Sequence, residues 1–170
     1  MQFELKKLSL NDGEEAYKML QKIPSEENNY FNPIYGVSYE KYKEWLVKSH
    51  YEALQEGLKD GWKVPQTTYW FYADGILAGK GEVRHFLTDT LRKRGGNIGY
   101  TIVPDQRGKG FGTKLLELLL NEAKMMGIEK VLLTIRSDNM ASLAAAKANG
   151  GVAEYEDKEN NETYIWINTK

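Results

Sequence analysis

The chain has no cysteine, four prolines and two histidines among its 170 residues. Without cysteine there is no disulfide framework, no thiolate metal site and no cysteine nucleophile, and two histidines leave a metal ion few ligands. An excess of one charge is missing too. Twenty-three basic residues stand against 24 acidic ones, a formal net charge of −1, with no long single-sign run. That balance argues against a general nucleic-acid or membrane-surface binder and leaves small molecules or proteins as partners. Long hydrophobic runs are also lacking. Met1-Gln2-Phe3-Glu4-Leu5-Lys6-Lys7 has no signal-peptide core, and Leu115 to Leu120 is broken by Glu117 and too short to span a bilayer. A soluble cytoplasmic protein, monomer or homodimer, is expected. No repeat, low-complexity tract or linker-like composition interrupts the chain. Its 170 residues, 41% hydrophobic, are therefore expected to form one domain with one core, over residues 1–170.

What is present concentrates between Ile98 and Leu116. Tyr100, Ile102 and Val103 suit a half-buried strand that Pro104 ends. After a glycine-rich turn, Phe111, Leu115, Leu118, Leu119 and Met126 recur at the spacing of one helical face, and Gly127 stands where a left-handed cap would close the helix. The helix begins at the glycines. A helix N-terminus leaves backbone N–H groups without internal partners and is electropositive, and glycines let a phosphate approach them closely. Arg107, Gly108, Lys109, Gly110, Phe111, Gly112 and Thr113 thus read as a pyrophosphate cradle. It is not a Walker A loop, because the lysine is followed by glycine, and Gly108-x-Gly110-x-Gly112 departs from the dinucleotide fingerprint.

The rest of the chain supplies strands and helices around this unit. Alternation predicts a first strand over 2–8, and Asn11-Asp12-Gly13-Glu14 offers an N-cap to a helix that stops at Pro24. Residues 25–36 read as a polar, aromatic loop. Ser38 could cap a second helix carrying Tyr42, Trp45, Leu46 and Ser49. Tyr69 to Ala73 and Ile76 to Phe86 flank Asp74-Gly75 as a hairpin, and a polar connection with Arg92, Lys93 and Arg94 follows. Those three read as a solvated face. Lys130 to Ile135 is a strand buried on both faces, Asp138 or Asn139 caps the next helix, and a final hairpin pairs Val152–Glu156 with Thr163–Ile167.

Arg107-Gly108-Lys109-Gly110-Phe111-Gly112, between that strand and that helix, resembles motif A of the GNAT (GCN5-related N-acetyltransferase) family, Arg/Gln-x-x-Gly-x-Gly/Ala. The order of elements after it agrees, and the resemblance covers about the C-terminal hundred residues well. Arg84-His85 followed by Gly95-Gly96-Asn97-Ile98-Gly99-Tyr100 is similar to a bacterial subgroup of predicted acetyltransferases. The resemblance implies an α/β (α+β) GNAT fold: a single mixed central sheet of about seven strands flanked by about four helices. Strands 4 and 5, here Ile98–Val103 and Lys130–Ile135, would be parallel and splay apart. It also implies an acyltransferase that moves the acetyl group of acetyl-CoA, a cosubstrate, to a primary amine by direct attack in a ternary complex, with no metal. Backbone groups near Ile102 and Val103 would hold the pantetheine arm and polarise the acetyl carbonyl. Asn139 would contact the pantetheine, cap the helix, or do both. Acceptor specificity would lie between the N-terminal segments and the splay.

The catalytic groups are less fixed. Many relatives carry a glutamate where this chain has Asn97, which takes no proton. Glu82 and His85 are the alternative bases, on opposite sides of one strand, and an unperturbed histidine titrates near ~6.5. Many relatives carry a tyrosine acid seven residues after the asparagine, and Ala146 stands there. Tyr100 or Tyr155 could replace it, or the thiolate could leave unassisted. Two other readings stay open: a CoA-binding module without catalysis, and an interaction domain that binds no CoA.

Overall fold

The structure, a computed structural model, describes residues 1–54 and 64–170. Period-two hydrophobicity sets its centre. β4 (Gln66–Ala73) carries Tyr69, Phe71 and Ala73 on one face and Trp70 on the other, all buried, so apolar layers cover both sides. With β1 (Phe3–Lys7), β5 (Ile76–Arg84) and β6 (Ile98–Ile102) it forms an antiparallel sheet in the order β1-β4-β5-β6. A second antiparallel sheet, β7-β9-β8, is built from β7 (Lys130–Arg136), β8 (Val152–Asp157) and β9 (Glu162–Asn168). The expected seven strands are thus present as four plus three.

α4 (Phe111–Met125) lies on the first sheet and buries Phe111, Leu115, Leu116, Leu119, Leu120 and Ala123 against Tyr69, Phe71 and Val83. Each fully buried leucine there contributes roughly 1.5–3 kcal/mol. The expected cap closes it: Gly127 has φ 80, and Ile128 N–H donates to Ala123 O. α5 (Met140–Ala148) adds Ala145 and Ala146 to the same core. On the opposite face of the sheet, α1 (Glu14–Gln21) and α2 (Tyr39–Tyr51) pack Met19, Leu20, Tyr42 and Leu46 around Trp70 in a second core.

Three local expectations give way to tertiary demands. The segment 25–36 is not all loop. It contains a hairpin of β2 (Glu26–Glu27) and β3 (Tyr30–Phe31), turned by Asn28 and Asn29 at φ 51 and 65, a conformation asparagine tolerates. The connection after β5 contains a short helix, α3 (Asp89–Lys93), whose Leu91 N–H is accepted by Thr88 Oγ1. Neither Asn11 nor Asp12 caps α1; Gly13 occupies the N-cap. Asp12 is claimed by Ser9 N–H at 2.6 Å and by Trp70 Nε1–H at 2.7 Å, because a buried indole needs an acceptor.

The two sheets meet at Asn97. Its backbone N–H donates to Leu132 O at 2.8 Å, and its Oδ1 accepts from Leu132 N–H at 2.9 Å. Its Nδ2 donates to Arg84 O at 3.4 Å. A glutamate could not make that donation, which gives this position a physical reason to be an amide. Gly96 precedes it at φ 60, and a Cβ there would collide with the Leu132 carbonyl. Past this joint β6 and β7 separate, and a cleft opens between them.

Candidate active site

The cleft encloses about 570 Å³ and runs from the start of α4 to the β2–β3 hairpin. At the α4 end, Gly108 and Gly110 have φ 76 and 78, and a Cβ on either would meet nothing within 4 Å. Gly110 is the N-cap, without a side-chain cap. The backbone N–H groups of Gly108, Lys109, Gly110, Phe111, Gly112 and Thr113 find no acceptor among the described residues; the helical ladder starts with Lys114 N–H to Gly110 O. Six adjacent donors at the positive end of a 15-residue helix make an anion site. Gly108, Gly110, Phe111, Gly112 and Thr113 line the cleft, while the Phe111 ring packs edge-on against Phe3 and Phe71.

The two cations of the loop are engaged elsewhere. Lys109 Nζ donates to Gln106 Oε1 at 2.8 Å and does not line the cleft. Arg107 donates from Nε to Ile102 O at 2.9 Å and grips the Glu27 carboxylate with Nη1 and Nη2 at 2.9 and 2.5 Å. That fork holds the Glu27 carboxyl below its ordinary pKa, against burial, and fastens the hairpin to the loop.

Along β6 the backbone alternates. Val103 N–H donates to Ala78 O on the β5 side and Arg84 N–H to Asn97 O, so the N–H groups of Ile98, Tyr100 and Ile102 point into the splay. Ile102 lines the cleft there. Val103 does not: its N–H is used by Ala78, its carbonyl accepts from Gln106 N–H, and its side chain lies in the second core. Asn139 lines the cleft and is the N-cap of α5, its Oδ1 accepting from Ser142 N–H at 3.3 Å and its Nδ2 donating to Ser142 Oγ at 3.0 Å.

At the hairpin end the cleft meets side chains. Glu82 stands on β5 on the face away from α4, buried, and lines the cleft. Its Oε2 accepts from Tyr30 Oη–H at 3.0 Å and lies 3.3 Å from Lys80 Nζ, which itself donates to Tyr30 Oη at 3.0 Å. Its Oε1 has no partner among the described residues and is not sealed from solvent. Burial, then the charge of Glu82, push the Tyr30 phenol far above its ordinary pKa, so it stays a donor. Lys80 sits over the rings of Tyr30 and Trp45.

His85, the other expected base, is outside the cleft. It lies one residue past β5 with Nε2 2.7 Å from Thr67 Oγ1, and burial, then Lys7, lower its pKa. Ala146, at the position where many relatives carry the acid, is fully buried in the main core, and of the expected substitutes Tyr155 is exposed, its ring tilted against that of Tyr164. Tyr100 lines the cleft. Its hydroxyl is buried without a hydrogen-bond partner among the described residues, and burial raises its pKa, outweighing the opposite pull of nearby Ser142.

Sequence reasoning missed Tyr30, Lys80 and the cleft-lining guanidiniums of Arg84 and Arg94. One signal was available: Lys80-x-Glu82-x-Arg84 puts three charges at period two on a strand whose neighbours are apolar or glycine. Arg94 is exposed, as expected of a solvated face, and also reaches the hairpin tip, donating from Nη2 to Asn29 Oδ1 at 2.9 Å.

A splayed sheet with open backbone donors at one end of its cleft and a carboxylate at the other has room for an extended, anion-tailed ligand between its half-sheets. The chain belongs to the GNAT acetyltransferase family, whose model, Acetyltransferase (GNAT) family, matches residues 26–150. No curated protein sequence matches it. Among solved structures it is similar to RimL, a ribosomal alpha-N-protein acetyltransferase in complex with coenzyme A, at 17% identity and a TM-score of 0.72, covering 99% of this chain and 96% of that one. It is also similar to the Campylobacter jejuni N-acetyltransferase PseH in complex with acetyl coenzyme A (14% identity, TM-score 0.63, 99% and 100% covered). A third is the GNAT acetyltransferase from Streptococcus pneumoniae (17% identity, TM-score 0.62, 97% of each chain covered). At these identities the likeness is one of fold. Among the described residues no helix is long and apolar enough to cross a membrane, and no group of three or more His, Cys, Asp or Glu could hold a metal ion.

Proposed function

We propose that the protein transfers the acetyl group of acetyl-CoA to a primary amine by direct attack in a ternary complex. One observation carries this reading: a single cleft pairs six unclaimed backbone N–H groups at one end with a carboxylate that keeps one oxygen free at the other. The donor fits that arrangement. Its pyrophosphate would meet the N–H groups of Gly108 to Thr113, and its pantetheine arm would lie along the unpaired edge of β6 beside Asn139. The N–H groups of Tyr100 and Ile102 are the donors available to an acetyl carbonyl, and such pre-oriented donors are usually a large catalytic contribution.

The acceptor arrives as an ammonium ion and gives a proton to Glu82 Oε1, directly or through one water, while Tyr30 and Lys80 hold the other oxygen still. The nitrogen attacks the carbonyl carbon; the N–C bond forms as the C–S bond breaks. CoA leaves as a thiolate and takes the Tyr100 phenol proton. The second proton lost by nitrogen passes to the Tyr100 phenolate within the cleft, and Glu82 releases its proton to water. Glu82 is favoured over His85 because only Glu82 lines the cleft, and Tyr100 over Tyr155 for the same reason.

Amine-dependent release of free thiol from acetyl-CoA, compared between wild type and Glu82→Gln, tests this. Release that collapses in the variant supports it. Acetyl-CoA binding with no release on any amine would instead identify a CoA-binding module, and absence of acetyl-CoA binding would point to an interaction domain.

A further inference from the structure

The charges at the hairpin end of the cleft do not cancel. Glu82 is matched by Lys80 at 3.3 Å, Glu27 by Arg107 at 2.5 Å, and Arg94 by Glu162 at 3.7 Å. Arg84, next to Glu82 on the same face of β5, makes no ion pair among the described residues. Its Nη1 alone is engaged, donating to Gly95 O at 3.0 Å and to Gly96 O at 3.3 Å. Nε and Nη2 have no partner among the described residues, and neither is sealed from solvent. The residue lines the cleft. One guanidinium edge is therefore presented, uncompensated, in the cleft that Glu82 also lines, two residues along the same strand.

Such an edge repels an acceptor whose only charge is its ammonium and matches one that also carries an anion. Two residues on one strand face are about 6.6 Å apart, so a molecule spanning both groups has its charges separated by only a few bonds. Resting on the proposed function, we infer that the acceptor is an amine bearing a carboxylate or phosphate a few bonds from its nitrogen, with the ammonium at Glu82 and the anion at Arg84. Arg94 also lines the cleft, its Nη1 without a partner among the described residues, and completes the anion-binding side. Lys80 takes no direct part.

The test measures thiol release in matched pairs: common L-amino acids against their own carboxamides, and O-phosphoethanolamine against ethanolamine, with kcat/KM corrected for the free-amine fraction. Calorimetric binding of acetyl-CoA is measured alongside. The anionic member of a pair should be preferred at least about tenfold, mainly through KM, and the two arms tell carboxylate from phosphate. In Arg84→Gln, which keeps a donor for the Gly95 and Gly96 carbonyls, that preference should fall to near unity with acetyl-CoA affinity unchanged. Neutral members used as well as anionic ones would overturn the inference. So would turnover of no anionic amine by protein that binds acetyl-CoA, which leaves the donor site standing. Failure to bind acetyl-CoA would overturn the proposed function itself.

Discussion

The two ends of the cleft are made from different materials. At the α4 end the groups offered to a ligand are backbone N–H groups of consecutive residues, Gly108 to Thr113, and the side chains of Arg107 and Lys109 are bonded elsewhere. At the hairpin end they are side chains of Tyr30, Glu82, Arg84 and Arg94, drawn from β3, β5 and the end of α3. A backbone cradle needs only the right φ angles and open space, so it is written in a few adjacent glycines. A side-chain site needs the whole fold to assemble it. Under the proposed function, the first would recognise a feature common to every CoA ester and the second would distinguish one acceptor from another.

Damage to the cradle should be the most severe. Gly110→Asp puts a carboxylate where a phosphate would sit, and acetyl-CoA affinity measured by calorimetry should drop at least about a hundredfold. The unliganded melting temperature should fall by only a few degrees, because a Cβ at that position meets nothing within 4 Å and the positive φ of 78 costs an aspartate on the order of 1 kcal/mol. Comparable affinity in this variant would break the contrast between the two ends.

Changes at the other end should spare donor binding and remove turnover. Glu82→Gln should lower kcat by roughly 10²–10³-fold with the acetyl-CoA dissociation constant unchanged. His85→Ala, altering a ring outside the cleft, should change kcat by less than about twofold. If the two effects were exchanged, the base would have to be moved to His85. Tyr100→Phe should cost about tenfold in kcat, since a thiol of pKa about 8.5 is a fair leaving group without help. Its melting temperature should stay level or rise, because it deletes a buried hydroxyl that has no partner; a merely structural tyrosine would show the opposite.

The smallest effect belongs to the tie between the ends. Glu27 is held below its ordinary pKa by Arg107, so its contribution to stability is present above the unfolded value near 4.5 and lost as pH falls through the lowered one. Glu27→Gln should therefore melt slightly below wild type at pH 7, by a degree or two for so exposed a pair, and together with it at the acid extreme (roughly). A difference that grew on acidification would contradict the sign of this pair.

The same contrast explains what could be read from the chain. The cradle was legible because its strand, glycines and helix face are contiguous, as were α4 with its Gly127 cap and the Asp74-Gly75 hairpin. Tyr30 and Glu82 are 52 residues apart, and nothing near Tyr30 says that its hydroxyl will meet a carboxylate. Alternation along β5 told that Glu82 and His85 face opposite ways but not which way the cleft lies. Asn97 was legible only as a missing base. Its service as the joint between the sheets depends on Leu132, 35 residues on. Arg107, too, looked like a phosphate ligand until the hairpin supplied Glu27. In each case a local pattern was overruled by a partner distant in sequence.

Titration of the purified wild-type protein with acetyl-CoA, followed by calorimetry with a thermal melt beside it, tests the central claim most directly. The account predicts saturable binding at one site. At a hundredfold excess over the dissociation constant it predicts about 2.7 kcal/mol of added stability, a rise in melting temperature of roughly 5–10 °C. No heat of binding and no shift would contradict it, and the open N-terminus of α4 would then have to be explained without CoA.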